Sequence, residues 1–363
     1  MAQARHLLGS GPFGSAADIN ADMAAFSDVA AELLHAHTGL RPPCPPPGAP
    51  LVAQSVARAT TLDAFRSLHT RKDPEEAAAA LRSGTALLAP VAPVTELVLS
   101  GHRYALATDW SASAGGRALR RVISADLAVP HTYVAATLAH AAAVERGLGL
   151  ITEALGEFGL SIVSSVRGAV LIEDSIVESA FIVPAPFVSV LNTQVLAGAL
   201  RTADAILHEA AHQKFYDLLV CRRLVRPDHN HLSGAVFGIP WNPVAGERRR
   251  MDCLRILSTI HVYAHLLELL LSVRAAGLAD RDVCDGLLTE YWQRAQFFDT
   301  AARSEVVRSA LGPDARAMVD WIASVMDAHR ETLRAQGRDT EGPYRADALD
   351  QVHRFASRAA AVA

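Results

Sequence analysis

Ala205-Ile206-Leu207-His208-Glu209-Ala210-Ala211-His212-Gln213-Lys214-Phe215-Tyr216 decides the reading of this chain. The run predicts a helix, with Ile206, Leu207, Ala210 and Ala211 to pack it. Side chains at i and i+4 share one helix face, so the imidazoles of His208 and His212 reach a common point about one turn apart. Two histidines at that spacing can hold one divalent ion. Glu209 completes His-Glu-x-x-His, the metal helix of many zinc enzymes. The structural alternative is a pair of core histidines beside a buried Glu209. It would place three titratable groups in one helix turn without an evident charge partner.

A working metal site needs a third protein ligand. The extended motif with a third histidine six residues after the second fails, because Leu218 stands there and Phe215 occupies the place of the turn glycine. Two later segments offer candidates. His229 and His231 read as part of a solvated loop. His261, His265 and Glu268 fall at i, i+4 and i+7, a polar stripe on an otherwise Leu-rich helix. Such a stripe must face something polar, and a metal is the simplest answer. His261 is the first choice as ligand, with His265 one turn on as its outer partner or as the ligand itself. Glu268 is the third choice, as the carboxylate of a two-His, one-Glu site.

The rest of the chain narrows the class. A formal net charge of −4, with scattered Lys and Arg, gives no electrostatic footprint for nucleic acid. Cys44, Cys221, Cys253 and Cys284 are far apart and form no Cys-x-x-Cys, against a disulfide framework or a zinc knuckle. The N-terminus lacks the pattern of a signal peptide. The longest apolar candidate, 256–273, is interrupted by His261, His265 and Glu268, so no membrane span is expected and the chain reads as cytoplasmic.

The chain in order reads as an N-terminal arm with a helix from Asp18 to Thr38 and a Pro-rich linker (1–48), then a helical and mixed part (49–158). A metal-binding core (159–275) and a helical C-terminal part (276–363) follow. Asp73-Pro74-Glu75-Glu76 marks a helix start. Arg103–Thr108 and Arg121–Ile123 read as short strands, and Pro130–Arg146 and Leu150–Phe158 as helices. Leu160–Val166, Ala169–Ile172 and Ser179–Leu191 are β-branched and apolar, three strands leading into the metal helix. A polar loop, 222–242, ends at Pro240-Trp241-Asn242-Pro243, and a long helix follows from Arg248 to Val273. Trp241, Tyr263, Tyr291, Trp292, Phe297 and Phe298 fit a core at helical spacing better than a pocket. The expected fold is α+β and mostly helical. A small antiparallel or mixed sheet packs on the metal helix ahead of a helical C-terminal half, an order compatible with a gluzincin-like arrangement.

Leu207-His208-Glu209-x-x-His212-x-Lys214, then Pro240-Trp241, then an Arg-containing entry into a long helix carrying a histidine, resembles the HExxH-motif peptide-modification family. The resemblance covers about residues 160–275. After Pro240-Trp241 the chain reads Asn242-Pro243-Val244-Ala245-Gly246-Glu247, where that family has an Arg and an Asp-Pro-Arg-Pro-like run. The resemblance implies Fe(II)- and 2-oxoglutarate-dependent β-hydroxylation of a peptide in natural-product biosynthesis, with a ribosomal precursor peptide among the substrates.

Two chemistries fit the same helix. An Fe(II) oxygenase would use His208, His212 and His261 as ligands and leave positions for a 2-oxo acid and dioxygen. The distal carboxylate of 2-oxoglutarate calls for an arginine. Arg250 is favoured over Arg249 and Arg255, because in a helix from Arg248 it would lie three turns before His261, on its face. Glu209 and His265 would then support the site or touch substrate, and Lys214 would point away from the metal. A zinc peptidase would instead use Glu209 as the base that deprotonates a metal-bound water. A non-catalytic module kept together by its metal is a third reading, disfavoured because structural zinc sites are mostly Cys-rich.

Overall fold

Asp73-Pro74-Glu75-Glu76 does start a helix. The Asp73 carboxylate accepts a hydrogen bond from the Glu76 amide at 2.9 Å, and the proline stands where its missing N–H has no helical partner to lose. The computed structural model describes residues 2–46, 48–88, 95–98, 104–174, 176–226, 235–244 and 247–362. His229 and His231 lie outside them.

The elements run α1 (Ala2–Gly9), α2 (Gly11–Gly14), α3 (Ala16–Thr38), α4 (Leu51–Arg66) and α5 (Pro74–Leu87), then β1 (Thr95–Val98), β2 (Ala105–Asp109), α6 (Ala114–Leu127) and β3 (Thr132–Val134). α7 (Leu138–Leu155), α8 (Glu157–Val163), β4 (Gly168–Glu173), β5 (Ser179–Phe181) and β6 (Val188–Asn192) lead to α9 (Ala199–Cys221), the His-Glu-x-x-His helix. A hairpin, β7 (Val236–Val244) and β8 (Glu247–Asp252), precedes α10 (Cys253–Ala276), α11 (Arg281–Arg303), α12 (Glu305–Ala310), α13 (Pro313–Ala335) and α14 (Pro343–Val362). The fold is α+β and mostly helical, with a small mixed sheet and a helical C-terminal half, as the sequence predicts.

Ser179–Leu191, read as one strand, is the two strands β5 and β6, and four further local expectations fail, each for a physical reason. Arg121–Ile123 belongs to α6. Gly115 and Gly116 disguise that helix, but Ser113 caps it, and a Cβ on Gly116 would meet the Trp110 carbonyl at 2.1 Å. The start of the expected helix Pro130–Arg146 is strand β3, paired with β4, and α7 begins only at Leu138. Leu160–Val166 is mostly helix α8, because Gly156 at φ +61 ends α7 and lets a new helix start at Glu157. Pro240-Trp241-Asn242-Pro243 and Arg248–Arg250 form the β7–β8 hairpin, and α10 starts only after Asp252, whose side chain caps the Arg255 amide at 2.8 Å.

Packing groups the chain into two compact units. A sheet unit holds Asn20–Glu153 and Gly159–Gln213; a helical unit holds Met1–Ile19, Ala154–Phe158 and Lys214–Ala363. The cut runs through α9 between Gln213 and Lys214, so the segment 159–275 is shared between the two.

In the sheet unit the strand order is β1-β2-β4-β6-β5, with β3 on β4. β2, β4 and β6 run parallel; β1, β3 and β5 pair antiparallel. Alternation of side chains then sorts the faces. Ala105, Ala107, Val170, Ile172, Val188 and Val190 join α4 and α6 residues in one apolar core. Residues of the opposite parity, Tyr104, Ser179, Phe181 and Ser189, point to the other face, where α9 lies. Its entry is prepared by Asn192, which caps the turn Thr193–Ala197 through the Gln194 amide and donates to the carbonyls of Asp174 and Val177.

In the helical unit α10 is central, packed by α1, α11, α13 and β8. It is long and apolar enough to cross a membrane, yet 89% of that stretch is buried inside the protein, as in a core helix. The aromatic residues form a core cluster here, as expected. Trp241 packs edge-on to Phe297 and Phe298, and Tyr263 against Tyr291 and Phe298.

His329 on α13 is fully buried, and its Nε2 donates to the Ala264 carbonyl at 3.0 Å. Burial pushes its pKa from 6.5 down to about 4. Between those values the unfolded chain takes up a proton that the folded chain refuses, so stability falls as pH drops from 6.5 towards 4. The full effect is about 3 kcal/mol. His329→Gln keeps a donor for Ala264 and is expected to flatten this acid limb. Urea unfolding at several pH values between 4 and 7.5 checks it; parallel curves for both proteins would refute the assignment.

Candidate metal site

The helix register places His208 and His212 one turn apart on α9, with ring centroids 5.0 Å apart. One donor atom from each of His208, Glu209 and His212 lies within 4.8 Å of the others, and among the described residues this is the group of three that can hold a metal ion. Both histidines keep part of their surface open, whereas Glu209 is buried, 1% exposed. The site therefore has a sealed floor and an accessible rim.

Strand β5 lines it with two residues of one parity. The Ser179 hydroxyl donates a hydrogen bond to Glu209 Oε1, and the Phe181 ring stacks on His212 at 6.1 Å between centroids, 14° from parallel. Below them Tyr104 and Ser189 share a buried hydrogen bond of 3.0 Å. Gln213, next on the helix, accepts the Phe187 amide at 2.8 Å.

The electrostatics suit a cation. Burial pushes His208 down to about 4, so its imidazole is neutral and ready to donate a lone pair. Burial pushes Glu209 up to about 8, against the Ser179 hydrogen bond and helped by the charge of Asp204. Glu209 Oε2 is buried and accepts no hydrogen bond from a described residue. A buried carboxylate oxygen without a donor is costly unless a cation or proton meets it. Two imidazoles and a Glu209 carboxylate oxygen within 4.8 Å of one another fit a divalent transition metal.

The α10 stripe has protein partners of its own. His265 Nδ1 donates to the His261 carbonyl at 2.8 Å, which leaves Nε2 to accept from Lys214 Nζ at 3.5 Å, while Phe158 stacks on the ring. Lys214, 1% exposed, also donates to the carbonyls of Gly14 at 2.8 Å and Leu8 at 3.4 Å. Glu268 accepts from Arg5 Nε at 3.0 Å and from Ser272 Oγ at 3.2 Å, with His329 Nδ1 3.9 Å away. His265 thus has Lys214 as a polar partner, and Glu268 Oε1 has Arg5 and Ser272. His261, fully buried, has the rings of Phe215, Trp321 and His265 around it, at 5.8, 6.0 and 4.5 Å. It belongs to the helical unit, and the donor group on α9 does not include it.

The helical-face argument for Arg250 does not hold. Arg250 is exposed on β8 opposite Gly238, and Arg255 is exposed in the first turn of α10. Sequence reasoning missed Ser179 as a partner of Glu209, although the period-2 pattern of its strand ahead of the metal helix was a usable signal. No protein-family model matches this chain, and no curated protein matches it either.

Proposed function

We propose that this chain is a non-haem Fe(II)- and 2-oxoglutarate-dependent oxygenase that hydroxylates the β carbon of an amino-acid side chain in a peptide, in natural-product biosynthesis. The observation that supports it is the convergent donor set of His208, His212 and Glu209 within 4.8 Å. Two imidazoles and one carboxylate, with positions left open, are the ligand set of this oxygenase class. When bound, Fe(II) with 2-oxoglutarate supplies the oxidising power for C–H hydroxylation that no side chain has. The residues do the rest. His208 and His212 hold the metal through neutral imidazoles, Phe181 keeps the His212 ring flat against it, and the partly open rim admits substrate. Two residues can complete the set: Glu209, which the geometry gathers with the histidines, and His261, which the sequence puts first.

A zinc peptidase is the second reading. The observation that favours it is the same Glu209 carboxylate, close enough to both imidazoles to deprotonate a water held between them. The two separate in one experiment. Protein purified without oxygen is supplied with Fe(II), 2-oxoglutarate and a panel of peptides, and succinate is measured. Succinate above the metal-free control is expected. No succinate, together with peptide hydrolysis that Glu209→Gln abolishes, establishes the peptidase instead.

A further inference from the structure

We infer that Ser179 is a positioning residue of this site, holding Glu209 so that one carboxylate oxygen stays available to the metal. The inference rests on the metal site proposed above and holds for either metal.

The argument starts from strand parity. In β5 the side chains of residues 179 and 181 point to one face, and both meet the motif residues of α9. Ala180 points the other way, into the apolar core. The strand therefore reaches Glu209 and His212 from a sheet, a more rigid support than a loop. The second step is the hydrogen-bond inventory. A carboxylate offers about four lone-pair sites, and a buried one normally has them satisfied. Glu209 receives one described donor, the Ser179 hydroxyl on Oε1, while Oε2 is buried and bare. One oxygen tethered by a neutral donor and the other bare, in a carboxyl group that brings an oxygen within 4.8 Å of a nitrogen of each imidazole, is an arrangement that can receive a cation. The hydroxyl restricts rotation of the carboxyl group without neutralising its charge, so it orients the oxygen and preserves its basicity.

The test is a titration of the metal-free full-length protein with Co²⁺, whose visible absorption reports both affinity and ligand geometry. Ser179→Thr keeps the hydroxyl, and Ser179→Val has nearly the same shape without it; Ser179→Ala is the smaller control. Wild type and Ser179→Thr are expected to bind one ion with the same spectrum. Ser179→Val and Ser179→Ala are expected to bind about 10–100-fold more weakly, with a changed spectrum. Circular dichroism checks that each variant is folded. Unchanged affinity and spectrum in folded Ser179→Val would overturn the inference while leaving the metal site standing. Wild type that binds no Co²⁺, or His212→Ala that binds it as wild type does, would overturn the metal site and the inference together.

Discussion

His212→Ala is expected to leave the purified protein with almost no bound metal and to weaken Co²⁺ binding by more than the roughly 10–100-fold that loss of an outer partner costs. Two imidazoles on one helix turn act as a chelate, because the helix has already fixed their separation. Removing one breaks that chelate and leaves His208 with the third donor, too few ligands to hold a divalent ion tightly in water. The fold is expected to survive, since His212 is partly exposed and its described ring contacts are with Phe181 and His208. Metal analysis after anaerobic purification is the measurement, with His208→Ala, Glu209→Gln and His261→Ala beside it. Wild-type metal content in His212→Ala would remove the site. Comparison of Glu209→Gln with His261→Ala identifies the third donor: whichever lowers metal content supplies it.

The second large effect concerns Lys214. Its ammonium is buried, and burial alone pushes its pKa down to about 7. Three acceptors nevertheless surround it: the carbonyls of Leu8 and Gly14, at the ends of α1 and α2, and His265 Nε2. It thus fastens the N-terminal segment to the centre of the helical unit, where Trp321 Nε1 adds a bond to the Leu7 carbonyl at 2.9 Å. Lys214→Ala is expected to cost about 3–5 kcal/mol, since a cavity adds to the unpaired acceptors. Lys214→Met refills most of the volume and leaves only the acceptors unpaired, about 1–3 kcal/mol. Urea unfolding gives both numbers. A methionine variant as stable as wild type would show that the three acceptors need no cation.

The parts legible in the sequence are those set by neighbours along the chain. The cap at Asp73, the helix with His208 and His212, and the C-terminal helices follow from local propensity, capping and period. The misread parts share one cause: local signals were ambiguous and distant contacts decided. Gly115-Gly116 weakens α6 as a helix, but the close approach of Trp110 requires it. Arg248–Arg250 looks like a helix entry, but pairing of β8 with β7 extends it. Asp252 was the readable clue, a cap three residues before the Arg255 amide.

The candidate site divides along the same line. That two imidazoles share a face with Glu209 between them follows from the α-helical repeat alone, and any fold that keeps α9 helical keeps it. What surrounds them does not. Ser179 comes from a strand 30 residues earlier, and Arg5, more than 260 residues from Glu268, is its ion-pair partner. Whether a polar stripe on α10 faces a metal or other side chains depends on which distant groups arrive there. That is a matter of tertiary packing, because a buried charge accepts any partner that satisfies it and the sequence does not say which one will be near.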